Sequence, residues 1–242
     1  MPTSRANLAA NVVNGKIYLM RDVVNEVYDP VTDSWTTRTP NPLAAFDFAS
    51  AVVDNRIYVI GGFEGSGSVS RRNQIYDPEN DSWSSGASLS QNVVYGAAGA
   101  TTGAMAPKRV YVFGATGQLG IVPIPPPFVN QVYDPANGNW TIGVSLSTSR
   151  INLGVVVMND TLYAIGGHTY EQVVFVEPSS ANEQYLPFGY GTIPPEPQPE
   201  SFPVVPVAVA SAVVAIVAGG GLLFYFRKRR RQSQPLQKQS DK

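Results

Sequence analysis

The sequence predicts an all-β array of repeated four-stranded units followed by one membrane-spanning helix. A Tyr-Asp-Pro triplet recurs at 28–30, 76–78 and 133–135, and a Trp follows seven residues after each Tyr. The spacings of 48 and 57 residues lie in the range in which internal repeats indicate stacked supersecondary units. Residues 1–190 show no sustained helical period, whereas 207–226 form an uncharged run of twenty residues.

The repeat unit predicts four short antiparallel strands, and the second copy shows them most fully. Runs of β-branched and aromatic residues alternate there with Asn, Asp, Gly and Pro, which is the usual signal for strands and hairpins. We expect strands over 47–53, 57–60, 73–76 and 82–84, joined by turns at 54–55 and 77–81 and by a loop at 63–72. Four such strands in about 50 residues are typical of a propeller blade.

An apolar strand containing Tyr precedes each triplet, and in three of the four copies a Gly follows that Tyr by three residues. Gly61-Gly62 can adopt positive φ or let two backbone segments approach closely. Tyr76 and Trp83 lie on neighbouring outer strands, so we expect them to pack on each other and on the next blade. The small residues of 48–51 and 96–100 suit the crowded strand nearest the axis.

This unit resembles the kelch repeat, in which an apolar Tyr-containing strand precedes Gly-Gly, Tyr-Asp-Pro and Trp. The first unit departs from it with Arg21-Asp22, and the fourth offers only Glu177-Pro178 without Tyr or Trp. The matching positions are Tyr58, Gly61, Gly62, Tyr76 and Trp83 in the second unit, Tyr111, Gly114, Tyr133 and Trp140 in the third, and Tyr163, Gly166 and Gly167 in the fourth. The resemblance implies a kelch-type β-propeller over residues 1–190, with blades at about 4–41, 42–88, 89–147 and 148–190. It leaves the ligand open, because such propellers serve unrelated functions.

Four units are few for a kelch-type ring, which usually has five to seven blades. We therefore expect an incomplete ring whose two or three N-terminal blades, with any signal peptide, precede this sequence. An open arc would expose a blade face and strand edges. A four-bladed ring and closure by self-association are the alternatives.

The carboxyl-terminal region predicts a single-pass membrane anchor. A proline-rich spacer at 191–203 is followed by a transmembrane helix at 204–226, because twenty apolar residues span the hydrocarbon core of a bilayer. The tail at 227–242 carries 7 Lys and Arg against 1 Asp, whereas 1–226 carry 10 against 17 acidic residues. The basic flank places the tail in the cytoplasm and the propeller outside the plasma membrane. A tail-anchored cytosolic propeller is the alternative.

Three sequons agree with this orientation, at Asn80, Asn139 and Asn159. We expect them to be glycosylation sites on the cell surface, although such triplets also arise by chance in turns. The lipid bilayer is then a partner through 204–226. The acidic propeller and its scattered basic residues argue against a nucleic-acid partner.

The composition favours a binding module over an enzyme. The chain has one His and no Cys, so the usual zinc sites cannot form, and no cofactor or phosphate-binding motif is present. The acidic residues of the Tyr-Asp-Pro triplets are expected in turns. The alternative is a surface hydrolase or lyase acting on glycans, with catalytic groups partly in blades outside this sequence.

Strand direction divides the propeller into two faces. The turns joining first to second and third to fourth strands share one face with the three sequons, which we call the sequon face. The loops joining second to third strands, at 63–72, 115–129 and 168–172, and the links between blades share the other, which we call the loop face. We expect the loop face to bind a protein or glycan, through Glu64, Arg71, Arg72, Ile121, Phe128 and His168. The alternative is that 121–128 folds back over its own blade.

Overall fold

The computed structural model describes residues 1–116, 128–171 and 175–192, and these form strands and turns but no helix. They belong to one compact unit, Met1–Glu196. A second unit, Pro197–Lys242, lies outside the described residues, as does the predicted span at 204–226. In the described part of the chain no helix is long and apolar enough to cross a membrane.

Nineteen strands are described. In chain order they are β1 (Ala9–Val13), β2 (Lys16–Arg21), β3 (Val24–Asp29), β4 (Ser34–Thr37), β5 (Ala45–Phe46), β6 (Ala49–Val53), β7 (Arg56–Ile60), β8 (Phe63–Glu64), β9 (Asn73–Asp77), β10 (Ser82–Ser85), β11 (Val94–Ala100), β12 (Val110–Ala115), β13 (Phe128–Asp134), β14 (Asn139–Ile142), β15 (Gly154–Met158), β16 (Thr161–Ile165), β17 (His168–Glu171), β18 (Phe175–Pro178) and β19 (Asn182–Tyr185).

These strands build four blades, which confirms the prediction of an all-β propeller arrangement. Blade 1 is β1-β2-β3-β4, blade 2 is β6-β7-β9-β10, blade 3 is β11-β12-β13-β14, and blade 4 is β15-β16-β19. Neighbouring strands within each blade are antiparallel. The strands of blade 2 agree with the predicted ones to within two residues.

Blade 4 differs from the prediction in its third strand. The sequence suggested Glu177-Pro178 as the remnant of the fourth Tyr-Asp-Pro, but these residues lie at the end of a hairpin, β17–β18. The third strand is β19 instead, and Tyr185 on it pairs with Leu162 of β16. The fourth triplet is therefore Tyr185-Leu186-Pro187, with Leu in place of Asp. The loop between second and third strands is correspondingly longer than 168–172.

Tyrosine pairs join successive blades. The second-strand Tyr of each blade packs on the third-strand Tyr of the next blade, with ring centroids 5.6 to 6.0 Å apart. The three pairs are Tyr18–Tyr76, Tyr58–Tyr133 and Tyr111–Tyr185. Each pair lies within an apolar cluster shared by the two blades. Burial of such large rings is the main source of stability at these interfaces.

The tryptophans brace the outer strands. Trp83 pairs with Tyr76 across β9 and β10 at a centroid distance of 5.0 Å. Its indole N–H donates to the Thr39 carbonyl, 3.0 Å away, in the link from blade 1. Trp140 donates to the Ala87 carbonyl in the same way at 2.8 Å. The predicted contact with the next blade is therefore wrong, because both indole N–H groups bind the link that leaves the preceding blade.

The first strands of all four blades surround a central channel. Their small residues permit close packing, as predicted, since a Cβ at Gly99 would lie 2.7 Å from a Val157 methyl group. This open channel has a volume of about 730 Å³. The face of blade 4 that points away from blade 3 carries exposed Val156, Met158 and Ile165, and the described residues leave it uncovered.

Candidate functional site

The loop face is a folded layer built from the links between blades and the loops between second and third strands. In blade 2 the link strand β5 pairs with β8, so that Phe46 faces Phe63. The hairpin after β8 is closed by a hydrogen bond from the Glu64 amide to the Ser68 carbonyl at 2.8 Å. These backbone hydrogen bonds tie the loop of blade 2 to the link that precedes the blade.

Two glycines allow the chain to enter this layer. Gly61 and Gly62 have φ of 69° and 82°. A Cβ on Gly61 would lie 2.5 Å from the Val93 carbonyl oxygen, and one on Gly62 would lie 2.3 Å from that of Phe46. The Gly62 amide donates to the Val93 carbonyl at 2.7 Å. Only glycine fits both the conformation and the space.

A small apolar cluster underlies the layer and joins three blades. Its buried members are Phe63, Val94, Ala115 and Ile151, and Phe46, Val69 and Tyr95 pack against it. The rings of Phe63 and Tyr95 make an edge-on contact at 5.3 Å. Ile151 exchanges two backbone hydrogen bonds with His168. This cluster packs the loop face against the ends of blades 2, 3 and 4.

One residue per blade, just before or at the start of the first strand, lines the mouth of the channel in a left-handed conformation. These residues are Asn7, Asp47, Tyr95 and Asn152, with φ of 51°, 48°, 51° and 51°. Asn and Asp tolerate this region, whereas Tyr rarely adopts it, and such strain is concentrated at functional sites. A bulge in the pairing of β11 with β12 accommodates Tyr95. We call these four residues the polar ring.

Three side chains of the polar ring have polar groups that are available for hydrogen bonds to a partner. The side chains of Asn7 and Asn152 are exposed and that of Asp47 is half-buried. None of these three side chains hydrogen-bonds to another residue in the described ranges 1–116, 128–171 and 175–192. Two amides and a carboxylate around one opening can bind the backbone or polar side chains of a partner.

Buried ion pairs hold the ring in the two outermost blades. Arg150, two residues before Asn152, is fully buried and donates to Glu183 on β19 at 2.7 Å. Arg5 pairs with Glu26 on β3 in the same way, two residues before Asn7. Blades 2 and 3 have no such ion pair. The arginine is replaced there by Ala45 and Val93, and the glutamate of the third strand is replaced by the neutral Gln74 and Gln131.

These pairs keep both glutamates ionised. Burial alone would raise the pKa of Glu183, but hydrogen bonds from Ser147 and the charge of Arg150 outweigh it and hold that pKa below its ordinary value. Glu26 has a lowered pKa for the same reason, with Thr3 and Arg5 as its partners. The arginine and ring residues are thereby fixed in position relative to the third strand.

The residues predicted for binding occupy different environments on the loop face. Glu64 and Arg72 form an ion pair at 2.9 Å, and Arg71 donates to the Leu89 carbonyl at 2.8 Å. Phe128 is half-buried against the cluster between blades 3 and 4 and begins β13, so it belongs to the blade more than to a free loop. His168 begins β17 and is half-buried. Ile121 lies outside the described residues.

The polar ring was missed by sequence reasoning, although a signal for half of it is present. Thr3-Ser-Arg-Ala-Asn-Leu8 and Thr148-Ser-Arg-Ile-Asn-Leu153 are nearly identical, and they place Arg and Asn alike in blades 1 and 4. Asp47 and Tyr95 share only their backbone conformation with these residues. No sequence pattern reveals that similarity.

The opposite face carries the sequons. Asn80 and Asn159 lie in turns and Asn139 begins β14, and all three side chains are exposed. In the residues that the structure covers, no cluster of three or more His, Cys, Asp or Glu side chains could hold a metal ion.

Comparisons with known proteins agree with the repeat geometry. A family model described as the kelch motif matches residues 44–90. Kelch-like protein terF of Aspergillus terreus (strain NIH 2624 / FGSC A1156) is 26% identical over 164 residues, covering 67% of this chain and 24% of that protein. Kelch-like protein 26 of Danio rerio is 29% identical over 147 residues, covering 58% of this chain and 22% of that protein. The chain thus spans about a quarter of the length of the curated relatives it matches.

A solved structure, that of YjhT, superposes with a TM-score of 0.61 at 15% identity. The alignment covers 77% of this chain and 67% of that chain. At this identity the likeness concerns the fold alone. With the motif match, the relatives and the four blades, it confirms the predicted kelch-repeat propeller.

Proposed function

We propose that this kelch-repeat propeller is a protein-binding module whose loop face, centred on the polar ring, receives the partner. The observation that carries the proposal is the polar ring itself, in which four blades each direct one left-handed residue to the channel mouth. Three of these side chains have no hydrogen bond to another described residue, which leaves their polar groups available to a partner.

The chemistry of the loop face suits a polar, extended protein segment. Two amides and a carboxylate can pair with peptide groups, and the Glu64–Arg72 pair can bind charged side chains around them. A channel mouth is a typical site for an inserted turn, because concave surfaces bury more of a ligand. A glycan would use the same polar groups, so the test below separates the two.

We further propose that the module acts outside the cell and is anchored by 204–226. The support is the uncharged run, the basic tail that follows it and the exposure of all three sequons on the face opposite the polar ring. In this orientation glycans at Asn80, Asn139 and Asn159 would leave the loop face free. We also propose a binding module without catalysis.

The test exchanges ring residues for glycine, which tolerates positive φ and removes only the polar groups. The triple variant Asn7→Gly, Asp47→Gly, Asn152→Gly should lose capture of the partner by at least tenfold with little change in melting temperature. The matched control is Asn14→Gly, Asn55→Gly, Asn159→Gly, whose positions are also left-handed and exposed but lie in turns of the sequon face. Partners are identified by cross-linking and mass spectrometry with the wild-type chain, before and after enzymatic deglycosylation of the partner.

Equal loss in the control variant, or full capture by the ring variant, would contradict the proposal. Capture that disappears on deglycosylating the partner would identify a glycan ligand instead of a protein.

The membrane anchor has its own test. The full chain should sediment with membranes and require detergent, because twenty uncharged residues favour the bilayer. A chain ending at residue 195 should remain in the supernatant. Recovery of the full chain in a high-speed supernatant without detergent would overturn the anchor.

A further inference from the structure

Among the residues that the structure describes, no fourth strand closes the outer edge of blade 4 as one does in the other blades. Blades 1, 2 and 3 end in β4, β10 and β14, whereas β19 pairs only with β16 in the part of the chain that the structure describes. The repeat would place a fourth strand after Tyr185-Leu186-Pro187, but Thr192 occupies the Trp position and prolines follow at 194 and 195. Proline cannot donate the hydrogen bonds of a sheet.

The backbone of β19 presents bonding groups to this edge. The Gly166 amide donates to the Ala181 carbonyl at 2.9 Å. In an antiparallel pair, every second residue points its backbone N–H and C=O groups toward the partner strand, so this bond determines which residues of β19 face β16. Asn182 and Gln184 therefore direct their amide and carbonyl groups away from β16. The equivalent residue to Asn182 in blade 2 is Asn73, whose carbonyl accepts from the Gly86 amide at 2.8 Å.

The side chains at this edge form an unfilled aromatic slot. In blades 1 to 3 the third-strand Tyr contacts a Trp at 5.1, 5.0 and 4.9 Å. In blade 4 the residue at the matching sequence position, seven after Tyr185, is Thr192. The carbonyl of Val144 corresponds to those of Thr39 and Ala87, which accept the tryptophan N–H in blades 2 and 3. Within the described ranges, the Val144 carbonyl accepts a hydrogen bond from the Asn130 amide at 2.9 Å and none from an indole.

A groove of about 860 Å³ runs along this slot between blade 3 and the segment after β19. Its apolar wall is exposed, since Ile142 is 57%, Val144 77% and Phe188 95% accessible. Exposed apolar side chains beside a free strand edge mark a surface that pairs with another chain.

We propose that blade 4 takes up an extended segment of a partner protein as its fourth strand. The segment runs antiparallel to β19 and places a tryptophan on Tyr185, with its indole N–H donating to the Val144 carbonyl. The occupant's chemistry follows from the three strands that fill the same position in blades 1 to 3, whose sequences are Ser-Trp-Thr-Thr, Ser-Trp-Ser-Ser and Asn-Trp-Thr-Ile. Addition of a strand to a free edge supplies affinity through the backbone and specificity through the alternate side chains. This site is separate from the polar ring, so its failure leaves the proposed function untouched.

The probe is a fluorescein-labelled peptide with the sequence of residues 79–87, which contains the Trp of β10. It is titrated with the full chain from a non-glycosylating host, because Asn139 also lines the groove. We expect saturable binding that weakens at least tenfold when the peptide's Trp is replaced by Ala. Gln184→Pro should weaken it as much, since it removes an amide at the free edge and none of the bonds to β16. Gln184→Val keeps the amide and should bind within twofold of the wild type.

Because Gln184→Pro could weaken binding by misfolding, a second variant tests the same site without a change in the β19 backbone. Val144→Glu places a carboxylate in the slot at an exposed position and should also weaken binding at least tenfold, whereas Val31→Glu, remote and 92% exposed, should not. Absence of saturable binding, or equal binding by Val144→Glu, would overturn the proposal. So would a wild-type dimer in light scattering that Val144→Glu dissociates, since the occupant is then a second copy. Binding that appears only after residues 193–203 are deleted would identify the chain's own segment as the occupant.

Discussion

At the scale of single residues, Asp160 shows how a buried charge joins two blades. It lies in the turn between β15 and β16 and accepts hydrogen bonds from the amides of Thr102, Met105 and Ala106 at 2.6, 2.7 and 3.1 Å. Burial alone would raise the pKa of Asp160, but these backbone hydrogen bonds outweigh it and hold the pKa below its ordinary value. The carboxylate thus anchors the 101–106 turn of blade 3.

Replacement of Asp160 should destabilise the fold and flatten its acid sensitivity. A group with a lowered folded pKa stabilises the protein fully above its unfolded pKa, near pH 4, and loses that contribution as pH falls through the folded value. Asp160→Asn keeps one acceptor and should cost about 2 kcal/mol at pH 7. Urea unfolding at pH 7 and pH 3 should show a smaller difference for the variant than for the wild type. An equal difference would mean that Asp160 does not drive the acid dependence.

Trp83 stabilises the second blade through its ring more than through its indole N–H. Trp83 is half-buried, so Trp83→Ala should cost about 3 kcal/mol, the lower end of the range for a large aromatic. Trp83→Phe keeps the contact with Tyr76 and should cost about 1 kcal/mol, because the Thr39 carbonyl retains its bond from Asn25. Thermal unfolding of both variants measures the two contributions. If Trp83→Phe lost as much stability as Trp83→Ala, the hydrogen bond of the indole N–H and not the ring contact would be the source of the stabilisation.

At the scale of elements, the Gly-Gly doublet fixes how the second strand enters the loop face. Gly62 and Gly67 share a φ of 82°, but only Gly62 has neighbours that a Cβ would meet. Gly67→Ala should cost about 1–2 kcal/mol for the strained backbone alone. Gly62→Ala adds a clash with the Phe46 carbonyl and should cost at least about 2 kcal/mol more. Urea unfolding measures the free energy of unfolding of both variants. If the two variants lose the same amount of stability, the link strand β5 moves away from the added methyl group at no cost.

The strands of blade 2 were predictable because its turns use residues with strong local preferences. Asp29, Asp77 and Asp134 each accept a hydrogen bond from the backbone amide two residues later, and Asp54 and Asn55 take the left-handed conformation. These are local interactions, so the sequence encodes them directly.

The third strand of blade 4 was mispredicted because its motif is degenerate. Tyr185-Leu186-Pro187 lacks the Asp of the triplet, and Thr192 replaces the Trp. Only packing identifies it, since Tyr185 contacts Tyr111 as Tyr76 contacts Tyr18. Long-range pairing of this kind leaves little trace in one sequence.

At the scale of the whole molecule, one interface repeats three times and gives the described residues an apolar cluster between each pair of successive blades. The polar ring depends on this repetition, because its members come from four separate blades and meet only when the blades assemble. Its position was therefore not predictable from composition or spacing. The loop face as a whole was predictable, since strand direction alone separates it from the sequons.

The most direct test of the account is hydrogen–deuterium exchange of the chain with and without its captured partner. A binding loop face predicts slower exchange on complex formation at 43–48, 63–72, 93–96 and 148–153. Turns of the sequon face, at 30–34, 78–82 and 135–139, should exchange at unchanged rates. Protection of the sequon-face turns, with unchanged exchange at the loop face, would contradict the central claim.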